Sequence, residues 1–300
     1  MAIYDKIKVD DYNYVRNKVS NHLGYGYGQN GYGQQLQSVA VTEQSGVSAS
    51  SWNDLRNDII NIYNHNDGTA PFISAPQHGD RIVYNSSMPA NVYNLHIDNL
   101  AANKFKIAMS QSKTTSKGSR SQDWPGSLGT SWNNRLECNV TYNFSNSTTA
   151  RWFFNSGGKI RLSSSRSGGN STNQNQAWTS LLNSVGIVEF GAITPTAYTY
   201  YQLTSSYQRI FHAASSGSYA YYACEFNIYA KCNVPDNANG TANSIMFMVE
   251  WLDPYSGTND SVDGTMTLST NTLEASGQLV PSGFFQVESP QAILGNFTTS

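Results

Sequence analysis

With 300 residues, 39% hydrophobic and 12% aromatic, the chain can form one large domain or two smaller ones and is too aromatic to be disordered. Only 13% of positions are charged, while 19 tyrosines stand among abundant Ser, Thr, Asn and Gly, a mixture that suits β-structure and surfaces touching other proteins or sugars. No run of 18 apolar residues occurs, and the opening Met-Ala-Ile-Tyr-Asp-Lys-Ile-Lys has no apolar stretch, so neither a membrane span nor a secretory signal is expected.

The net charge of −2 hides a split. Residues 71–170 carry 11 basic and 4 acidic groups, and residues 171–300 carry 2 basic and 9 acidic groups, giving +7 and −7. Attraction between these segments inside one fold is the simplest consequence; head-to-tail steering of subunits is the alternative. Cys138, Cys224 and Cys232 show no CxxC spacing. On one uninterrupted strand Cys224 and Cys232 would stand roughly 27 Å apart, too far to bridge. Reduced, buried thiols are expected, as in a protein made in a cytoplasm, with no metal site and no cofactor.

Along the chain, Tyr12-Asn-Tyr-Val15-Arg-Asn-Lys18-Val19 is echoed forty residues later by Trp52-Asn-Asp-Leu55-Arg-Asn-Asp-Ile59. In both, aromatic, aliphatic and aliphatic residues fall at i, i+3 and i+7, one face of a helix. Asp10 or Asp11 can cap the first helix, with Gly24 past its end. Ser50 or Ser51 can cap the second, which runs through Ile62 and Tyr63 toward Gly68. Two such helices cannot bury both faces alone, so they pack together or on a partner. Between them lies Gly24-Tyr25-Gly-Tyr27-Gly-Gln-Asn-Gly-Tyr32-Gly33-Gln34. It lacks the lysine of a phosphate-binding loop and follows a helix rather than the strand a dinucleotide site needs. A flexible loop with tyrosine anchors is expected.

From about residue 70, Pro71, Pro76 and Pro89 mark a connector, and period-two alternation follows. Leu136 to Phe144 and Tyr222 to Cys232 read as strands with one buried face, and Ile245 to Leu252 as a central strand interrupted by Glu250. Shorter strands are expected at 185–192, 198–204, 265–269 and 283–288. Lys104 to Arg120 reads as a mobile basic loop; it has no aromatic in its Ser/Thr-rich part to stack a base, so nucleic acid is not expected as a partner. Residues 163–176 read as a second exposed loop. Arg151-Trp-Phe-Phe-Asn-Ser-Gly-Gly-Lys-Ile-Arg-Leu162 reads as a strand, a tight Asn-Ser-Gly-Gly turn and a returning strand. Almost no helix is expected after residue 70. The fold class is mainly β: an antiparallel β-sandwich over 71–300, a jelly roll being one form of it, preceded by a helix–loop–helix docking segment over 1–70.

Two of these stretches carry a family resemblance. The Phe-Phe-Asn-Ser-Gly-Gly segment resembles one that recurs in virion structural proteins of tailed bacteriophages, especially contractile-tailed phages of marine cyanobacteria. The N-terminal pair, Tyr12 to Lys18 and Trp52 to Ile59, is similar to the helix pair that opens such proteins. The likeness covers about a third of the chain. It implies a non-enzymatic virion component of tail, baseplate, neck or an attached fibre, made in the host cytoplasm. Such a component works by homo-oligomerisation, a trimer being the first guess, and by contact with other virion proteins. Tyr12, Val15, Tyr25, Tyr27, Tyr32, Trp52, Leu55 and Ile59 are the candidate assembly residues.

Other functions leave weaker traces. The five histidines, His22, His65, His78, His96 and His212, never fall at HxH or HxxxH spacing, and no Gly-x-Ser-x-Gly elbow is present. His22 and His65 read as charged caps of the helix ends. Paired carboxylates for glycan cleavage would be Glu250 with Asp253, or Asp260 with Asp263. The aspartates read as turn residues, and Glu250 reads as one half of a structural ion pair. The main alternative function is a fibre adhesin that stacks host surface glycan on Trp124, Trp132 and Trp178; a glycan depolymerase ranks behind it.

Overall fold

The computed structural model describes residues 9–75, 89–126, 131–193, 195–215, 223–254, 261–276 and 287–300. His78, Tyr222, Asp260 and most of the strand expected at 283–288 lie outside the described residues. The chain divides into two compact units: a helical unit of Met1–Lys113, Arg151–Gly158 and Glu274–Val287, and a β unit of Thr114–Ala150, Lys159–Leu273 and Glu288–Ser300. The boundary expected at residue 70 falls inside the helical unit.

In the helical unit, α1 (Val9–Leu23) and α2 (Ala49–Asp67) are the two expected helices. Ser48, two residues before the expected cap, opens α2: its hydroxyl accepts from the Ser51 amide at 3.1 Å, and Gly68 closes the helix at φ 83°. A third helix, α3 (Pro89–Ala102), corrects the expectation of a proline-marked connector. Pro89 is its first residue, where a missing N–H leaves no bond unmade. Tyr12, Val15, Val19 and Leu23 of α1, Trp52, Leu55, Ile59 and Ile62 of α2, and Tyr93, Ile97 and Leu100 of α3 form one core. Tyr12 meets Trp52 edge to face at 5.2 Å, and Trp52 stacks on Tyr93 at 5.1 Å.

Among the described residues the β unit has nine strands in two antiparallel sheets. The four-stranded sheet has the order β1 (Ser112–Trp124), β8 (Gly264–Ala275), β3 (Lys159–Ser167), β4 (Ile187–Phe190). The five-stranded sheet has the order β5 (Gln208–Ala214), β6 (Glu225–Cys232), β7 (Ser244–Asp253), β2 (Asn134–Asn143), β9 (Gln291–Thr299). Alternation decides which side chains enter the core: Leu136, Cys138, Val140 and Tyr142 of β2 stand beside Ile245, Phe247, Val249 and Trp251 of β7. The sheets meet through Phe190 and Phe247 at 5.3 Å, through the Trp251 indole N–H donated to the Ser164 hydroxyl at 3.0 Å, and through the Tyr142 and Thr270 hydroxyls. All three cysteines are buried thiols outside any disulfide, and burial pushes the Cys138 thiol up to about 11.

Several local expectations are corrected. Residues 147–155 form a helix, α4 (Ser147–Asn155), not the first strand of a hairpin. Asn146 starts it, its side-chain oxygen accepting from the Thr149 amide at 3.0 Å. Asn-Ser-Gly-Gly ends it as a Schellman turn: Gly158 N–H reaches the Phe153 carbonyl at 2.9 Å, Gly157 N–H reaches that of Phe154 at 3.1 Å, and Gly157 has φ 86°. The Ser-rich loop expected at 163–176 is the end of β3 and the start of α5 (Asn173–Val185), capped by Thr172. The 198–204 segment is a 3-10 turn at Tyr200–Gln202.

The basic stretch is no mobile loop, because β1 begins at Ser112 and its cations have partners. Lys104 donates to the Asn30 side chain at 2.8 Å, Lys113 pairs with Glu274 at 3.4 Å, and Lys117 donates to Ser289 at 2.6 Å. Arg120 covers the open edge of β9, donating to the Leu294 and Gly295 carbonyls at 3.3 and 3.1 Å.

Attraction within the fold answers the charge split. Lys113–Glu274, Arg135–Glu250, Lys159–Glu189, Arg161–Glu189 and Arg166–Asp263 each join the basic middle of the chain to its acidic end.

Candidate docking site

The eight assembly candidates separate into two sets. Tyr12, Val15, Trp52, Leu55 and Ile59 are buried in the helical unit's own core, and Tyr32 is fully buried as well. They cannot be the surface that meets a neighbour. Amphipathic helices that looked short of a partner found one in α3, which the sequence reading did not supply. Tyr25 and Tyr27 remain, each 62% exposed.

The loop that carries them is tightly bonded. Gly31 N–H donates to the Asn21 carbonyl at 2.7 Å, Tyr32 and Gln34 N–H both reach that of Leu23, and Gly33 N–H reaches that of Gly24. From the segment 151–158, Asn155 directs its side-chain NH₂ at the carbonyls of Gly28, Asn30 and Gly31 at 3.1, 3.2 and 3.1 Å. Asn155 is completely buried. Gly33 lies so close to the Trp152 ring that a Cβ there would collide with it. Tyr25 packs against Trp152 with ring centroids 5.5 Å apart, and the Arg151 guanidinium sits 5.0 Å from the Tyr27 ring centroid. The result is an exposed patch of Tyr25, Tyr27 and half-buried Trp152 on a bonded frame.

Beneath the loop, His22, Tyr32, His65 and Asn66 form a buried polar cluster. The Tyr32 hydroxyl lies 2.8 Å from His22 Nε2 and 3.2 Å from the Asn66 side-chain oxygen, and His65 Nε2 donates to the Ser156 carbonyl at 2.7 Å. Burial lowers both histidines, His22 to about 3 with help from nearby Lys104 and His65, and His65 to about 4. They are neutral, so the expected role as charged helix caps is corrected. Asp58 is buried on α2 and accepts from the Gln37 and Ser38 amides, each at 2.9 Å, and from the Ser38 hydroxyl at 2.6 Å. Sequence reasoning missed Asp58, Trp152 and Asn155. Asp58 left a signal: it falls between Leu55 and Ile59 on the apolar face of the predicted helix.

The remaining candidates lie in the β unit. Trp132 and Trp178 are buried and meet edge to face at 5.4 Å, and buried Trp124 packs on Phe297 at 5.8 Å. Trp124 and Trp132 border an open polar cleft with Gln122, Asp123 and Asn133, yet neither presents an open ring face for a sugar. Glu250 accepts from Arg135 Nε at 2.6 Å, Asn227 Nδ2 at 3.0 Å and the Tyr229 hydroxyl at 3.3 Å, which is the structural ion pair expected of it.

Asp253 is the buried last residue of β7 and accepts from Gln174 at 2.6 Å. Asp263, expected in a turn, is a buried hub. It accepts from Arg166 at 3.3 Å and from the Asn170 amide and side chain at 3.0 and 2.7 Å, and it also bonds Asn175. Among the described residues no group of three His, Cys, Asp or Glu could hold a metal ion, and no helix is long and apolar enough to cross a membrane. Comparison with protein-family models, curated proteins and solved structures found no match.

Proposed function

We propose that this chain is a non-enzymatic virion structural protein of a tailed phage, part of the tail, baseplate, neck or an attached fibre. It assembles with copies of itself and with other virion proteins through the Tyr25–Tyr27–Trp152 patch. The observation that carries this reading is the patch itself: two tyrosines 62% exposed on a loop pinned by buried Asn155. Tyr, Trp and Arg are the side chains that dominate protein interfaces. A loop already ordered before contact loses little conformational entropy on docking, so more of the contact energy appears as affinity. The resemblance of Tyr12–Lys18, Trp52–Ile59 and the Phe153–Gly158 segment to phage virion proteins supports the same conclusion. The buried rings of Trp132 and Trp178 weigh against the adhesin, and the three hydrogen-bond donors on Glu250 weigh against the depolymerase.

The test is mass spectrometry of particles purified from cells that make the chain, followed by gold-tagged antibody and electron microscopy. Label at the neck or along a tail or baseplate substructure is expected. Label confined to distal fibre tips would favour the adhesin, and absence of the chain from particles would overturn the proposal.

A further inference from the structure

The outward face of the five-stranded sheet carries a second surface, independent of the tyrosine patch. Register sets its side chains in rows across the strands. One row is Glu225, Leu252 and Arg135; the next is His212, Asn227, Glu250 and Glu137. Then come Arg209, Tyr229, Met248 and Asn139, and finally Lys231, Met246 and Thr141. Leu252, Met248, Met246 and Tyr229 are half-buried, an apolar centre beside the buried Asn227 and Glu250 of the second row. Helix α5 meets this sheet from the inner side, through Gln174 on inward-facing Asp253, and at the far end of the outward rows Lys231 lies 4.4 Å from the Tyr207 ring centroid.

Charge is graded along the strands. Glu225, Glu250 and Glu137 stand in the first two rows, where Arg135 pairs with both Glu250 and Glu137. Arg209 and Lys231 stand in the last two, with no acid among the rows' named members. The first two rows together are therefore net acidic, Arg135 offsetting one of three glutamates, and the last two are basic.

We propose that this face pairs with the same face of a second copy about a two-fold axis running across the strands. Such an axis keeps each strand opposite itself and reverses the rows, so Glu225 lies over Lys231 of the second copy, and Leu252 over its Met246. The pairing is isologous and closes on itself. The net acidic pair of rows meets the basic pair, with Glu225 opposite Lys231, which also fixes the orientation. The other two-fold, along the strands, sets Glu225 over an arginine already held by two carboxylates. Five strands about 4.8 Å apart and four to five outward rows about 6.8 Å apart give a footprint of about 650 Å² per copy. Both copies together bury about 1,300 Å², within the range of stable specific interfaces.

Sedimentation velocity of the full chain between 1 and 100 μM (order-of-magnitude bounds for a standard interface) tests the pairing. Three variants accompany it: Lys231→Glu, Glu225→Lys and the two combined. A concentration-dependent dimer is expected, with each single reversal raising Kd about tenfold or more and the double reversal returning it to within about threefold of the starting value. Met248→Arg, at the apolar centre, should abolish the dimer while leaving the near-ultraviolet dichroism of the monomer intact. A monomer throughout the range would assign the face to another occupant and overturn the proposal. So would a dimer indifferent to all four variants, or a double reversal that adds the two losses.

Discussion

The polar cluster under the tyrosine loop of the helical unit and the ion pairs of the β unit bury polar groups in opposite ways. Beneath the tyrosine loop of the helical unit the buried polar cluster is uncharged: Tyr32, Asn66, Asn155 and two histidines held neutral by burial. In the β unit buried or half-buried ions stand in pairs: Arg166 with Asp263, Arg135 with Glu250, and Lys159 and Arg161 with Glu189. A neutral histidine must stay unprotonated for its unit to stay folded, whereas a paired carboxylate must stay ionised. The two units therefore fail in different pH windows.

Acidification gives the largest expected effect. An unfolded histidine takes up its proton near 6.5, and His65 and His22 in place only near 4 and 3. Between those values the unfolded chain binds more protons, so stability is full above 6.5 and falls as pH drops, by up to about 1.4 kcal/mol per histidine per pH unit. Glu189 behaves otherwise. Burial pushes its carboxyl up, but Lys159 and Arg161 outweigh that and leave it below its usual 4.5. Its contribution is present above 4.5 and is lost as pH falls through the lower folded value. Amide hydrogen exchange between pH 7 and 4 should show α1 and α2 losing protection before β2, β6 and β7. Simultaneous loss, or loss in the sheets first, would break the comparison.

Substitutions sharpen it. Asp263→Ala leaves the Arg166 guanidinium buried without its carboxylate and should cost about 3–5 kcal/mol in a urea melt. A loss below about 1 kcal/mol would show that Asp263 is no hub. Asn155→Ala removes the donor shared by three loop carbonyls and should cost about 1–3 kcal/mol, with faster exchange at Gly28 to Gly33. Unchanged exchange there would mean the loop is held by its own backbone. Glu189→Gln, in a partly exposed cluster, should cost no more than about 1 kcal/mol and lose its effect in 1 M salt.

The sequence made parts of both units legible. Heptad-like spacing from Tyr12 and Trp52 marked the two helices, alternation marked β2 and β6, and a short apolar run marked β7, because these patterns are local. Their partners were not legible. Trp52 stacks on Tyr93, forty-one positions away, and Asn155 ties a loop more than a hundred residues earlier. Asn-Ser-Gly-Gly misled for a specific reason: a hairpin turn and a Schellman cap both require glycine at positive φ, so the turn alone does not choose. The deciding signal was upstream, in Asn146 with Thr149 three residues on. The candidate site was legible only as exposed tyrosines. That Trp152 backs them, and that Tyr12 and Trp52 are core, depended on long-range packing.

The most direct measurement of the central claim follows Tyr25→Ala/Tyr27→Ala through assembly. Both side chains are exposed, so the variant should melt within about 1 kcal/mol of the parent chain. It should nevertheless be missing from purified particles, or depleted at least tenfold, by quantitative mass spectrometry. A folded variant that enters particles at the parent's level would contradict the claim that this patch docks the protein.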